Sequence, residues 1–284
     1  MKTLLLVVAS IALAAPIQPP RAIQADPPIN CSDCEEWNKP REPKRLFGNS
    51  YYVGTAGLSA ILITSDQGHI LIDGGLTQSA PLIDANIRKL GFRTEDVKLI
   101  LNSHAHYDHA AGIAALQRLS GATVVSSSAG AQALEQGGPL PEDPQFNYGP
   151  NGGKYPPVKN VRVVADGDTV RQGPLAVTMH FTPGHTPGST TWSWRSCEGA
   201  KCQTIVYADS LSAVSAPGFR FTGDGKRPSL VPSFRRSITA VGELPCDILV
   251  STHPSVAEGK TCRSYAAEAM KRLDARVAEE NAKR

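Results

Sequence analysis

Six consecutive residues, His104-Ala105-His106-Tyr107-Asp108-His109, hold three imidazoles and a carboxylate directly after an apolar run, Val97-Lys98-Leu99-Ile100-Leu101. Imidazole ligates zinc and other borderline transition metals, and carboxylate is a harder oxygen donor. Four donors so close together exceed what one tetrahedral centre with an open position needs. The spacing predicts donors divided between two neighbouring metals, an arrangement that turns bound water into a nucleophile. A polar turn without metal is the plainer reading, but the chain has seven His in all, and three of them in one string is not a random scatter. A fold that uses such a string must bring further ligands to it.

Two segments have the right form. His185 lies in Thr182-Pro183-Gly184-His185-Thr186-Pro187-Gly188, where Pro and Gly fix a sharp turn behind the apolar run 175–181. His253 ends a strand-like run that starts at Cys246 and is followed by Pro254. Segments 97–104 and 247–253 read alike: an apolar stretch, a small polar pair, then His. The repetition predicts several strands delivering ligands to one edge of a sheet framework, as at the strand ends of α/β folds. His69, beside a turn, and His180, inside the 175–181 strand, read as ordinary strand histidines.

The 284 residues, 41% hydrophobic, suffice for one substantial core. Segment 1–14 stands outside it. Met1-Lys2 is a basic start, 4–13 an apolar run too short for a membrane span, and Ala12-Leu13-Ala14 an A-x-A cleavage site. It reads as a secretory signal removed after Ala14, with a site nearer Ala25 as the alternative. A core helix there conflicts with Pro16, Pro19 and Pro20. Residues 15–45 then form a Pro-rich arm and 46–284 a single domain. An exported chain can use its six cysteines in disulfides, with 15 possible pairings. Cys197 and Cys202 flank a predicted hairpin turn, Cys246 and Cys262 flank the His253 segment, and Cys31 pairs with Cys34 by elimination. For that C-x-x-C, a redox motif or half a zinc site stays open. Net charge is +3 with His neutral, and the Lys and Arg are scattered. Without a basic stripe interleaved with aromatics, no nucleic acid is implied.

Apolar period and turn residues place strands near 46–53, 60–64, 69–73, 97–102, 123–126, 162–164, 175–181, 190–195 and 204–207. Helices fall at about 79–90 and 110–120, closed by Gly91 and Gly121, and at 129–135, 232–242 and 262–283. The stretch 136–157 is rich in Gly and Pro and carries Phe146, Tyr148 and Tyr155.

The string H-x-H-x-D-H, then P-G-H-T-P-G, then a strand ending in His-Pro, resembles the metallo-β-lactamase superfamily. Gly68-His69-Ile70-Leu71-Ile72-Asp73-Gly74-Gly75 is similar to that family's early strand-plus-Asp motif, and Tyr207-Ala208-Asp209-Ser210-Leu211-Ser212-Ala213 to its fourth motif. With the export signal, the likeness is to subclass B3 and covers about residues 37–280. Subclass B1 carries a Cys in the fourth motif, where none stands near Ser210, and B2 an Asn in place of His104.

The resemblance implies a four-layer αββα sandwich of the α/β (α+β) class. It implies two Zn2+ per chain, one held by His104, His106 and His185, the other by Asp108, His109 and His253. The implied activity is hydrolysis of the β-lactam amide of penicillins, cephalosporins and carbapenems by a metal-bound hydroxide. Asp108 is then also the catalytic residue that orients it. Ser210 and Ser212 are implied donors to the substrate carboxylate, and the loop 136–157 would lie beside the site. Asp73 is assigned to support a ligating imidazole, which needs a partner on its other nitrogen, with a turn-capping Asp as the alternative. The implied partner is a small-molecule β-lactam in the periplasm, met by a monomer without nucleic-acid or membrane partners.

Asp209 carries two readings. In glyoxalase-like relatives an Asp in a comparable motif bridges both metals, and in B3 enzymes it is not a ligand. An exported lactone or thioester hydrolase of the same fold, and a zinc-binding protein without turnover, are the competing functions. One departure stands out: only eight residues, 254–261, separate His253 from Cys262. A longer insertion is expected there in B3 enzymes, so the second zinc would lack a wall.

Overall fold

The computed structural model describes residues 21–283, and the predicted secretory signal lies outside them. Ile61-Leu62-Ile63 and His69-Ile70-Leu71-Ile72 are buried at every position. Such continuous runs belong to strands covered on both faces. Seven strands follow one another in chain order across the first sheet: β1 (Lys44–Phe47), β2 (Ser50–Tyr52), β3 (Ile61–Ile63), β4 (His69–Ile72), β5 (Val97–Leu101), β6 (Thr123–Ser126) and β7 (Val161–Val163). The first four are antiparallel and the last four parallel. Parallel neighbours need crossovers. After the single turn α1 (Cys34–Trp37), these are supplied by α2 (Ser79–Lys89), α3 (Tyr107–Ala110) with α4 (Ile113–Ser120), and α5 (Ser128–Gln136).

The second sheet has the order β12-β11-β10-β9-β8, from β8 (Thr169–Gln172), β9 (Leu175–Phe181), β10 (Thr190–Glu198), β11 (Lys201–Ala208) and β12 (Ile248–Ser251). It is antiparallel except where α6 (Val231–Glu243) carries the chain from β11 to a parallel β12. The turn α7 (Pro254–Ala257) and the long α8 (Cys262–Ala282) follow.

Alternation along the strands sorts the layers. Ile61, Ile63, Ile70, Ile72, Leu99 and Leu101 meet Val177, Met179, Trp192, Ile205 and Tyr207 between the sheets. The intervening Leu62, Leu71, Val97, Ile100 and Val124 turn the other way, onto Ile83, Ile87, Ile113 and Leu116 of the helices. Val206 and Ala208 face Phe234, Ile238, Tyr265 and Leu273 of α6 and α8. The result is helix, sheet, sheet, helix, the fold that the resemblance implied.

Several details differ from the sequence reading. The strand expected at 46–53 is two, because Gly48 turns the chain at φ +52. The strand β8 has only Val170 buried, so it carries almost no apolar period. The arm is not merely a lead-in: Ile29 and Cys34 are buried in the first helical layer. All three expected disulfides, Cys31–Cys34, Cys197–Cys202 and Cys246–Cys262, are formed. Among the described residues no helix is long and apolar enough to cross a membrane.

Candidate metal centre

The donors meet where strands end. β5 stops at Leu101, a short loop presents His104 and His106, and α3 carries Asp108 and His109. His185 comes from the turn between β9 and β10, and His253 follows β12. The ring centres of His104, His106 and His185 are 4.7–4.9 Å apart, and one nitrogen of each lies within 4.8 Å of the others. A second group within the same distance is His104, Asp108 and His109. His253 joins it through Asp108, whose Oδ2 is 3.3 Å from His253 Nε2, and through His109, 4.9 Å between ring centres. All six predicted donors are thus brought together, with His104 common to both groups.

The outward nitrogens are held by the protein. His104 Nδ1 meets Asp209 Oδ1 at 2.6 Å, and His106 Nε2 meets Asp143 Oδ1 at 3.0 Å. His185 Nδ1 donates to the Ser212 carbonyl at 2.9 Å, and His253 Nδ1 to the Gly57 carbonyl at 3.1 Å. A neutral imidazole that donates from one nitrogen presents a lone pair on the other. His104 Nε2 and both nitrogens of His109 are buried without a hydrogen-bond partner, a costly state for polar atoms. A cation among these lone pairs resolves it, so the residues fit a metal.

Electrostatics agree. Burial, reinforced by His109 and His185, pushes the His104 imidazole well below its ordinary pKa. Burial and the neighbouring His106 lower His185 to about 3. Both are therefore neutral, as ligands must be. Burial alone would raise Asp108, but His109 and His253 outweigh it and hold the carboxyl well below the usual range. Burial opposes charge on His109, yet Asp108 beside it lifts that imidazole above its ordinary value. The Asp108–His109 contact therefore favours a proton, or a metal in its place.

Asp73 differs from its predicted role. Its carboxylate accepts from Ser103 N at 2.8 Å, Ser103 Oγ at 2.6 Å, Tyr207 Oη at 2.8 Å and Asn102 Nδ2 at 3.2 Å. These bonds anchor the backbone just before His104 and touch no imidazole. The φ of +60 at Asp73 directs the next two amides, Gly74 and Gly75, onto the His109 carbonyl. The carboxylate set on an imidazole is instead that of Asp209, together with Asp143, which no motif marked.

A cavity of about 530 Å3 opens over the donors. His106, Asp108, His185 and His253 form its floor, and Ser210 and Ser212 line it. Ser210 Oγ lies 2.9 Å from Thr252 Oγ1, and Ser212 Oγ lies 3.2 Å from His185 Nδ1. From the 136–157 loop come Gln145, Tyr148, Gly149 and Pro150. The arm lines the cleft beside His253, with Asn30, Cys31, Ser32 and Asp33 on its wall and Trp37 at 5.2 Å from the His253 ring. A C-x-x-C-x-x-W string in a polar arm gives no sequence signal for that placement.

Comparison with known proteins agrees with this geometry. The metallo-beta-lactamase superfamily model matches residues 53–195. MEM-A1, a subclass B3 metallo-beta-lactamase from a soil metagenome library, is 48% identical, with 87% of this chain and 100% of that one covered and a TM-score of 0.84. A probable metallo-hydrolase from Burkholderia pseudomallei is 29% identical over 153 residues, 49% of this chain. A hydroxyacylglutathione hydrolase from Anaeromyxobacter dehalogenans is 34% identical over 128 residues, 45% of this chain. The chain spans about half or less of these two curated relatives, 48% and 38% of their lengths. The chain belongs to the metallo-beta-lactamase superfamily, within subclass B3.

Proposed function

We propose that this protein is a zinc-dependent hydrolase that opens the amide of β-lactam antibiotics and so confers resistance. It acts as an exported, periplasmic monomer on a small molecule, through one catalytic domain spanning 46–284. The observation that carries this reading is the 48% identity to MEM-A1 over that chain's whole length, together with six donors of this chain gathered at one site. His104, His106 and His185 would hold one Zn2+, and Asp108, His109 and His253 a second. Bound zinc polarises a carbonyl and brings the pKa of water to about 7.

The chain's own residues do the rest. Asp209, Asp143 and the carbonyls of Ser212 and Gly57 hold the outward nitrogens of four imidazoles and so orient the inward ones. Ionised Asp108 is an acceptor at Oδ2, where His109 and His253 converge. It is the residue assigned to orient the attacking water and relay its proton to the leaving lactam nitrogen. The Ser212 hydroxyl can accept from His185 Nδ1 and keeps its own hydrogen for a substrate carboxylate. Ser210, at the same wall, is the second donor.

Carbapenem hydrolysis by the purified chain should vanish with a chelator and return with zinc. A chain that binds zinc and opens no lactam overturns the reading. The thioester or lactone alternative is favoured by the match to the hydroxyacylglutathione hydrolase, and it needs Asp209 as a metal ligand. Against it, Asp209 Oδ1 is taken by His104, and neither donor group includes Asp209.

A further inference from the structure

We propose that Asp143 is a positioning residue that ties the loop beyond α5 to His106, so that loop order and metal binding depend on each other. The inference rests on the metal site proposed above but not on its substrate. His106 is set apart among the held imidazoles. It turns Nε2 outward, to Asp143, whereas His104, His185 and His253 turn Nδ1 outward. Its Nδ1 is thereby turned to the centre, where the Gln145 side-chain amide, at 3.5 Å, is the protein group beside it.

Asp143, like Ser212 and Gly57, lies outside strand and helix, but it holds its imidazole by a side-chain carboxylate where those two use backbone carbonyls. It is buried, at 4% exposure, and Oδ1 accepts from both His106 Nε2 and the Gln145 amide at 2.8 Å. The turn around it closes through Asp143 N to Leu140 O and Phe146 N to Asp143 O, at 2.9 and 3.0 Å. From the segment that follows β11, Ala216 N donates to Pro144 O at 2.8 Å. The Asp143 turn thus joins the imidazole, the loop backbone and, through Pro144, the segment beyond β11.

A carboxylate buried this deeply needs its donors. Withdrawing the loop frees the His106 ring and leaves Asp143 only the Gln145 amide of its own turn; locking the ring holds the loop. By linkage, whatever the loop adds to metal affinity the metal returns as loop order.

Two readouts on the full chain test this without any lactam. In zinc titration of the metal-stripped protein against a chromophoric chelator, Asp143→Ala should weaken one site about 10–100-fold. Asp143→Asn, which keeps an acceptor at both hydrogen bonds, should weaken it less. In hydrogen exchange, zinc should slow the Gln145 amide and its neighbours in the wild type, and should not do so in Asp143→Ala. Wild-type zinc affinity together with undiminished zinc-dependent protection in Asp143→Ala overturns the proposal. If that variant does not fold, Asp143→Asn with both readouts unchanged from wild type overturns it equally. A wild type that binds zinc with loop protection but opens no lactam sinks the substrate reading alone; one that binds no zinc sinks both.

Discussion

At Asp209 the two carboxylate oxygens have different surroundings: Oδ1 holds His104, and Oδ2 is buried without a partner. The A-D-S-L-S string was visible from the sequence and favoured a role off the metal, yet a bridging ligand also fitted it. The choice depends on whether an oxygen reaches a metal or an imidazole 105 residues away, and residue identity does not encode that distance. If Asp209 orients His104, Asp209→Asn keeps an acceptor there and should still bind two zincs, at about 10–100-fold lower affinity for the site His104 serves. Complete loss of one zinc by metal analysis would instead make Asp209 a ligand. The six donors themselves were legible because their chemistry and spacing are local properties. Asp143 and Trp37 were not, since a lone Asp in a loop and a lone Trp in an arm read as surface.

Among the elements, α8 shows how a helix of low amphipathic contrast is docked. Its N-terminus is closed by a capping box between Thr261 and Ser264, and a disulfide joins it to Cys246. Its far end is held by Glu280, which is buried and accepts from the amides of Phe221 and Thr222 at 3.0 and 2.9 Å and from Arg276 Nε at 2.8 Å. Burial works to raise its pKa, but Arg276 and the two amides outweigh it and lower it from the ordinary 4.5. A carboxylate lowered on folding contributes stability above its unfolded pKa and loses it as pH falls through the folded value. Glu280→Gln should therefore cost about 1–3 kcal/mol at pH 7. The deficit should shrink towards zero as the pH is taken below 4.5 into the range where Glu280 itself is protonated. Urea denaturation across that range measures both; a deficit independent of pH would assign the effect to packing. The helices α2, α4 and α8 were legible from period and caps. The hairpin strand β8 was missed because three of its four residues face outward or partly so, and pairing with β9 rather than its own pattern makes it a strand.

Across the whole molecule, the two sheets share a core and also a polar joint. Asp73, at the end of β4, binds Ser103 beyond β5 and Tyr207 of β11, while Trp192 Nε1 and Thr190 Oγ1 of β10 both donate to the Asn102 carbonyl. The loop presenting His104 is thus clamped from both sheets. Asp73→Ala would leave buried donors on Ser103, Asn102 and Tyr207 unpaired, and should lower the stability of the metal-stripped chain by about 3 kcal/mol or more. Chemical denaturation in chelator reads this; an unchanged midpoint would refute the joint. The amino-acid sequence by itself determined the donor types and the strand and helix periods, because these depend on residues near one another along the chain, while the four layers came with the resemblance that its motifs carry. Which carboxylate supports which imidazole, and which arm walls the cleft, was decided only by tertiary structure. Those contacts join residues from 37 positions apart, at His106 and Asp143, to 216 apart, at Trp37 and His253, and their distances are set by how two twisted sheets pack.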